Sequence, residues 1–137
     1  MINSRKLTDL LPGVADKCRN FIDGCTDAGI NALITSTYRD VEAQNAIYAQ
    51  GRTTPGHVIT NARGGDSMHQ YRVAFDWVPV DLKGQPIWSD MTLWSKGGAI
   101  GQSVGLEWGG SWTSFIDRPH FQDTGGKTLA DFKAEAK

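Results

Sequence analysis

The chain has 137 residues and a formal net charge of −1, with 39% hydrophobic and 21% charged residues. This length and composition suit one packed domain over residues 1–137, and the nearly balanced charge argues against a general nucleic-acid binder, which needs a basic surface. No apolar run approaches the roughly 18 residues of a membrane span, and the amino terminus lacks a signal-peptide core, so we expect synthesis in the cytoplasm and no stable membrane association.

The first elements alternate between helical and extended patterns. Apolar residues between Leu7 and Cys25 recur at helical spacing, with Pro12 suited to a first turn and Gly29 to a carboxy-terminal cap. Residues 30–37 (INALITST) are rich in β-branched side chains. These patterns predict a packing helix followed by a strand.

A second helix and a long loop come next. Asp40 can cap a helix over residues 40–50 that stops at Gly51. Residues 51–66 then turn to Gly, Thr, Pro, Asn and Arg, which are typical of a loop. A loop of this length inside a compact domain usually has a functional role. Residues 71–80 read as a strand.

The remaining elements are a third helix, further strand material and a last short helix. Ser89 can cap the third helix, whose apolar positions run through residues 91–104. Residues 105–122 carry strand and loop patterns, and Thr128 can cap a final helix over residues 128–136. We therefore expect an α+β fold in which a small antiparallel sheet packs against helices.

Two of the three histidines lie beside predicted strands, and so does an aspartate. His69 and Asp76 flank one apolar run, and His120 follows about fifty residues later. Two imidazoles and one carboxylate form a typical three-ligand set for a catalytic zinc ion. Side chains alternate along a strand, so residues seven apart point to opposite faces. His69 and Asp76 can meet only if residues 70–72 form an irregular entry to the strand.

The segment SMHQYRVAFD (67–76) resembles the SxHxxGxAxD motif of a zinc metallopeptidase family. That family includes phage L-alanyl-D-glutamate endopeptidases, D-alanyl-D-alanine carboxypeptidases and vancomycin-resistance D,D-dipeptidases. The likeness extends to ITSTYRD (34–40), YAQGRT (48–53) and DRPHF (117–121), in the order of the family. It covers roughly residues 30–121, and it implies the fold shared by the D,D-peptidases and hedgehog signalling domains.

The resemblance implies a role for five side chains. His69, Asp76 and His120 would bind Zn²⁺. Asp117 stands three positions before the last histidine, where the family has its general base, and would move a proton from water to the leaving amine. Arg39 matches the family arginine that stabilises the oxyanion or holds a substrate carboxylate.

Several other positions leave alternatives open. Glu107 is a rival general base, since it lies between two aromatic-rich runs. Arg72 replaces the usual glycine of the motif, which implies either an ordinary φ or a different local turn, and its charge is available for substrate at the rim of the cleft. Ser67 is a candidate for hydrogen bonds to the motif backbone or to substrate, with a plain loop serine as the alternative. Gln44 is a candidate for support of Arg39 or contact with substrate, with an ordinary polar helix residue as the alternative. Trp112 is a candidate wall of the cleft.

The resemblance favours a monomeric zinc-dependent peptidoglycan peptidase without a separate wall-binding domain. The phage endolysin branch fits best, with the stem peptide as substrate and the L-alanyl-D-glutamate bond as the point of cleavage. Such a protein would reach the cell wall through a membrane pore. Two alternatives remain: a D,D-carboxypeptidase or dipeptidase with the same metal core, and a non-catalytic wall-binding module with a silent zinc site.

Overall fold

The first helix, α1, spans Pro12–Asp27 in the computed structural model, which describes residues 1–137. Pro12 occupies its first turn, and Gly29 follows its end with a φ of 78°, as the sequence predicts. Residues Leu7–Asp9 form a separate 3-10 turn instead of extending the helix. One face of α1 is buried against the sheet, through Val14, Ala15, Cys18, Phe21 and Cys25.

Four antiparallel strands form a single sheet in the order β1-β2-β4-β3. The strands are β1 (Asn31–Ser36), β2 (Ala74–Val80), β3 (Glu107–Trp108) and β4 (His120–Gln122). The expectation of an α+β fold with a small antiparallel sheet is confirmed. The central position of β2 gives it neighbours on both edges, so its residues are held by two ladders.

The register of the sheet brings three polar residues side by side. Asp76 on β2 lies opposite Ser36 on one neighbour and opposite His120 on the other. The β1 ladder shifts register between Ile34 and Ser36, which is a local irregularity at the end of the strand. The candidate ligands Asp76 and His120 are therefore joined by direct strand pairing.

Two shorter helices begin with the caps that the sequence predicts. Helix α2 spans Val41–Ala49, and the Asp40 side chain accepts a hydrogen bond from the third residue of the helix. The last helix spans Leu129–Glu135, and Thr128 forms a capping box with Asp131. Both helices start where a side chain satisfies a free backbone N–H.

The third helix, α3, spans Met91–Ser103 and corrects one prediction. Its cap is Asp90, whose carboxylate accepts two backbone N–H bonds, and not Ser89. Either residue type can cap a helix, so the sequence does not distinguish the neighbours. Gly97 on α3 faces the ring of Trp77, because a Cβ there would lie only 2.2 Å from the indole. The glycine thus lets α3 pack closely on the sheet.

One cluster of 16 buried residues fills the space between the sheet and helices α1 and α3. Phe21 of α1 meets Trp77 of β2 edge-on at 5.1 Å, and Trp77 meets Trp94 of α3 at 4.9 Å. These contacts fix β2 from the face opposite the candidate site. None of the helices combines the length and apolarity needed to cross a membrane.

Candidate metal centre and cleft

A short 3-10 turn, Met68–Tyr71, positions the first histidine. Ser67 caps it by accepting a hydrogen bond from the His69 N–H at 3.2 Å, and Gln70 reaches back to the Ser67 N–H at 3.1 Å. The prediction of a strand over residues 71–80 was wrong at its start, since the strand begins at Ala74. The irregular entry that the spacing of His69 and Asp76 requires is this turn.

Arg72 ends the turn in the left-handed region, with a φ of 64°. The expectation of an ordinary φ is wrong: this chain keeps the glycine-like conformation with an arginine. The guanidinium lies 3.8 Å from the ring of Tyr38 and donates a hydrogen bond to the Asp9 carbonyl at 2.9 Å. These contacts direct Arg72 toward the amino-terminal segment, and it does not line the cleft described below.

His69, Asp76 and His120 bring their ligand atoms together within 4.8 Å of one another. Asp76 Oδ1 lies 3.3 Å from His69 Nε2 and 3.5 Å from His120 Nδ1. Removal from water raises the pKa of Asp76. Hydrogen bonds from the two imidazoles, and their attraction when they are protonated, outweigh this effect and hold that pKa well below its usual range. Asp76 is therefore a carboxylate at neutral pH.

The outer nitrogen of each imidazole has an acceptor of its own. His69 Nδ1 lies 2.7 Å from the Thr37 carbonyl, and His120 Nε2 lies 2.7 Å from Oε1 of Gln122. An N–H directed at these acceptors leaves a lone pair on the inner nitrogen of each ring, as metal-binding histidines require. Two such nitrogens and a carboxylate around one point fit a divalent cation, and the nitrogen-rich set suits zinc.

Gln122 and Glu107 extend this arrangement behind His120. The Gln122 amide nitrogen donates to Glu107 Oε2 at 3.3 Å, and Trp112 Nε1 donates to the same oxygen at 2.9 Å. Glu107 does not line the cleft above the ligands. Its carboxylate instead holds the Gln122 amide and one edge of Trp112. We had not identified Gln122 from the sequence, although it lies two residues after His120 on the same strand and so faces the same side.

Asp117 stands at the mouth of the site, in the loop before β4. Its N–H donates to the Gly109 carbonyl, and its own carbonyl accepts from the His120 N–H at 3.2 Å, which ties the loop to the ligand-bearing strand. The side chain is exposed, yet partial removal from water raises its pKa, with a further rise from Asp76. The positive charge of Arg39, and that of His120 and His69 when they are protonated, opposes this rise. A carboxyl group with a raised pKa is suited to accept and return a proton.

Arg39 reaches the metal centre from the side of α2. One guanidinium nitrogen lies 3.6 Å from Asp76 Oδ2 and donates to Ser36 Oγ at 3.1 Å, and the other donates to Gln44 Oε1 at 2.9 Å. Burial lowers the pKa of Arg39, against the opposing pull of Asp76. The group stays charged because arginine is protonated throughout the usual pH range. It contributes a fixed positive charge beside Asp76.

Gln44 is fully buried and connects three segments of the site. Its oxygen accepts from Arg39 and, at 3.3 Å, from Gln70; its nitrogen donates to the Ala62 carbonyl at 2.8 Å. The side chain thus joins Arg39, the turn that carries His69 and the loop that walls the cleft. Of the two sequence hypotheses for Gln44, these contacts correspond to the support of Arg39.

A cleft of about 440 Å³ lies above the three candidate ligands. Its lining includes Ile59 and Thr60 of the long loop and Trp112 and Asp117 of the segment before β4. The loop predicted over residues 51–66 therefore borders the site, and Trp112 walls it as the sequence suggested. Ser67 also lines the cleft, in addition to capping the turn.

Comparisons of the sequence identify a family and several relatives. A family model described as D-alanyl-D-alanine carboxypeptidase, of the M15 peptidases, matches residues 60–123. The peptidoglycan L-alanyl-D-glutamate endopeptidase CwlK of Bacillus subtilis is 35% identical over 124 residues, which cover 84% of this chain and 74% of the relative. The L-alanyl-D-glutamate peptidase of Listeria phage A118 is 30% identical over 128 residues, which cover 89% of this chain and 40% of that protein.

Solved structures share the fold. The L-Ala D-Glu endopeptidase ChiX of Serratia marcescens superposes with a TM-score of 0.65 at 19% identity, over 86% of this chain and 83% of that one. A mutant of the vancomycin-resistance D,D-pentapeptidase VanY, in complex with Zn(II), superposes with a TM-score of 0.64 at 14% identity, over 90% and 83%. At such identities the likeness concerns the fold alone.

Proposed function

We propose that this chain, which belongs to the M15 family of peptidases, is a zinc-dependent hydrolase that cleaves the L-alanyl-D-glutamate bond of the peptidoglycan stem. The observation that carries the proposal is the convergence of His69, Asp76 and His120 within 4.8 Å, under a cleft that also contains Asp117. The choice of bond is supported by two relatives at 30% identity or more, both named for it.

His69, Asp76 and His120 would hold the metal ion through Nε2, a carboxylate oxygen and Nδ1. Zinc bound by three protein ligands acts as a Lewis acid and lowers the pKa of water to about 7. The chain supports this ligand set through the acceptors behind each imidazole, Thr37 and Gln122. Each acceptor keeps the proton on the outer nitrogen and so leaves the inner one available.

Asp117 is the proposed general base. Its carboxylate accepts a proton from the attacking water and then delivers a proton to the nitrogen of the departing amine. Its position suits both transfers, because Asp117 lines the same cleft as the three candidate ligands, where the water and the scissile bond would lie. Glu107 is unsuited to this role, since its carboxylate is engaged by Gln122 and Trp112 outside the cleft.

Arg39 is the proposed electrostatic partner of the reaction. Its guanidinium lines the cleft and lies beside Asp76, where its positive charge would stabilise the negative charge that develops on the substrate carbonyl oxygen. Gln44 holds it in that position. Ser67, at the edge of the same cleft, is available for a hydrogen bond to the substrate backbone.

We further propose that the protein acts as a monomer on the cell wall, as a phage endolysin. The relative from Listeria phage A118 supports a phage role. A protein of this kind made in the host cytoplasm would reach its substrate after release through a membrane pore. The proposed partner is the stem peptide, without nucleic acid.

A D,D-carboxypeptidase is the second candidate, since the matching family model carries that description. Synthetic stem pentapeptides separate the two. The zinc-loaded protein should release L-alanine and a new D-glutamate amino terminus, and chelation should abolish the reaction. Released D-alanine would instead assign the carboxypeptidase activity. Retention of the peptide without any cleavage would favour a binding module with a silent metal site.

A further inference from the structure

A second cavity of about 800 Å³ adjoins the metal cleft. The two cavities share six lining residues: Ile59, Thr60, Ala62, Asp66, Trp112 and Asp117. Arg39 and the three candidate ligands line only the first, so the second cavity is the part of this joined space that lies off the metal site. Phe115 at its rim is 81% exposed and has a left-handed φ of 53°, a strained conformation of the kind found at ligand sites. The other apolar residues of this cavity include Ile59, Ile116 and Leu129.

We propose that the second cavity binds the amine-side half of the substrate, and that Lys133 within it recognises the free α-carboxylate of D-glutamate. The inference rests on the proposed function and names one of its specificity-determining residues. Since Asp117 returns its proton to the leaving amine, the nitrogen of that amine lies next to Asp117. The chain that continues from the nitrogen then enters the cavity that Asp117 borders.

Charge supports this assignment. Lys133 on the last helix is the only cationic side chain that lines the second cavity. In the stem peptide, D-glutamate continues through its side-chain carboxyl, so its α-carboxylate stays free on the carbon that bears the leaving nitrogen. Asp66 and Asp117 also line this partly apolar cavity. A carboxylate carried into it needs a cationic partner to offset its loss of water and the repulsion of these two acids. Lys133 is placed to supply that charge.

Asp66 holds Lys133 at the cavity. The Lys133 ammonium forms an ion pair with the Asp66 carboxylate, and both side chains are about half exposed. Hydrogen bonding to Asp66 raises the pKa of Lys133, so the ammonium remains charged. Exposed ion pairs of this kind are weak. A substrate carboxylate can therefore share or displace Asp66, and the pair acts as a preformed but exchangeable anion site.

Two peptides that differ at one group test the proposal. The first carries D-glutamate with its free α-carboxylate, and the second carries D-isoglutamine, in which that group is a neutral amide. The variant Lys133→Met should lower kcat/KM for the first peptide by about tenfold, the effect of losing a hydrogen bond to a charged group. It should lower kcat/KM for the second peptide much less. Lys133→Arg should retain a higher kcat/KM for the first peptide than for the second, as expected of the parent protein.

Lys127→Met is the matched control, because Lys127 has the same 47% exposure, pairs with Glu135 and does not line the cavity. It should leave both peptides unaffected. The role of Lys133 would be overturned if Lys133→Met lowered kcat/KM equally for the two peptides, or if the variant still preferred the peptide with the free α-carboxylate. Either result would leave the bond assignment intact. Absence of cleavage between alanine and glutamate in the unmodified protein would overturn the proposed function and the subsite together.

Discussion

The Nε2 atom of His120 lies 2.7 Å from the side-chain oxygen of Gln122, and this contact determines which nitrogen of the ring faces Asp76. The Gln122 amide cannot flip without losing its bond to Glu107, because its nitrogen donates to that carboxylate. The proton of neutral His120 therefore stays on Nε2. Nδ1 keeps its lone pair for the metal.

Removal of this support should weaken metal binding. Gln122→Ala leaves the Nε2–H of His120 without its acceptor, so we expect the affinity for zinc to fall by about 10- to 100-fold. Competition with a chromogenic chelator measures the affinity directly. Gln85→Ala, in an exposed loop, is the control and should not change it. Unchanged affinity in Gln122→Ala would show that the amide does not select the tautomer.

The general base and the metal ligands should separate in mutants. Asp117→Asn should retain zinc and lower kcat by about 10²- to 10⁴-fold, because it loses only proton transfer. His120→Ala should lose zinc and activity together. Metal content by mass spectrometry and peptide hydrolysis provide the two measurements.

Glu107→Gln is the companion of these variants, since its side-chain oxygen can still accept the bonds from Gln122 and Trp112. It should retain most of the activity. If Asp117→Asn stayed active and Glu107→Gln did not, the assignment of the base would be reversed.

The titration of Asp117 should respond to the metal. In the metal-free protein, partial burial should place the carboxyl pKa above its ordinary value of 3.8. Zinc should lower that pKa, because a nearby positive charge favours the ionised form. Carbonyl-carbon NMR of the side chain across the acidic range measures both values. If zinc left the pKa of Asp117 unchanged, Asp117 would lie too far from the metal to act as the general base for a metal-bound water.

The left-handed backbone conformation of Arg72 predicts that two small replacements differ in stability. Arg72→Gly and Arg72→Ala lose the same contacts with Tyr38 and Asp9, but only alanine keeps a Cβ at a φ of 64°. We expect Arg72→Ala to be less stable than Arg72→Gly by about 1 kcal/mol in urea unfolding. Both should cleave peptide at the rate of the parent protein. A lower kcat/KM in the glycine variant would instead support the sequence-based hypothesis that Arg72 contacts substrate.

Gln44 should contribute to the stability of the fold. Gln44→Ala leaves buried groups of Arg39 and Ala62 without partners, so the free energy of unfolding should fall by about 2 kcal/mol or more. Urea unfolding measures this, with Gln102→Ala on the exposed side of α3 as the control. A loss no larger than that of the control would mean that water replaces the amide.

Local signals in the sequence account for much of the fold. The caps Asp40 and Thr128 and the terminal residues Pro12 and Gly29 act within a few residues of the helix ends they define. The start of β2 was misassigned because Tyr71 favours strands. Ser67 with a glutamine three positions later was the overlooked signal of a helical turn.

Only part of the site could be predicted from the sequence. Motif order identified His69, Asp76 and His120, and the alternation of strand residues demanded the turn between the first two. The network behind them depends on register: Gln122 meets Glu107 because β3 and β4 pair at these residues. Lys133 and Asp66 lie far apart in the sequence, and only the packing of the last helix brings them together.

Digestion of purified peptidoglycan tests the central claim most directly. The zinc-loaded protein, the chelated protein and Asp117→Asn are incubated with the same cell-wall preparation, and the products are identified by mass spectrometry after labelling of free amines. We predict new D-glutamate amino termini with the zinc-loaded protein alone. Cleavage that persists after chelation, or in Asp117→Asn at the parent rate, would contradict the account of this site.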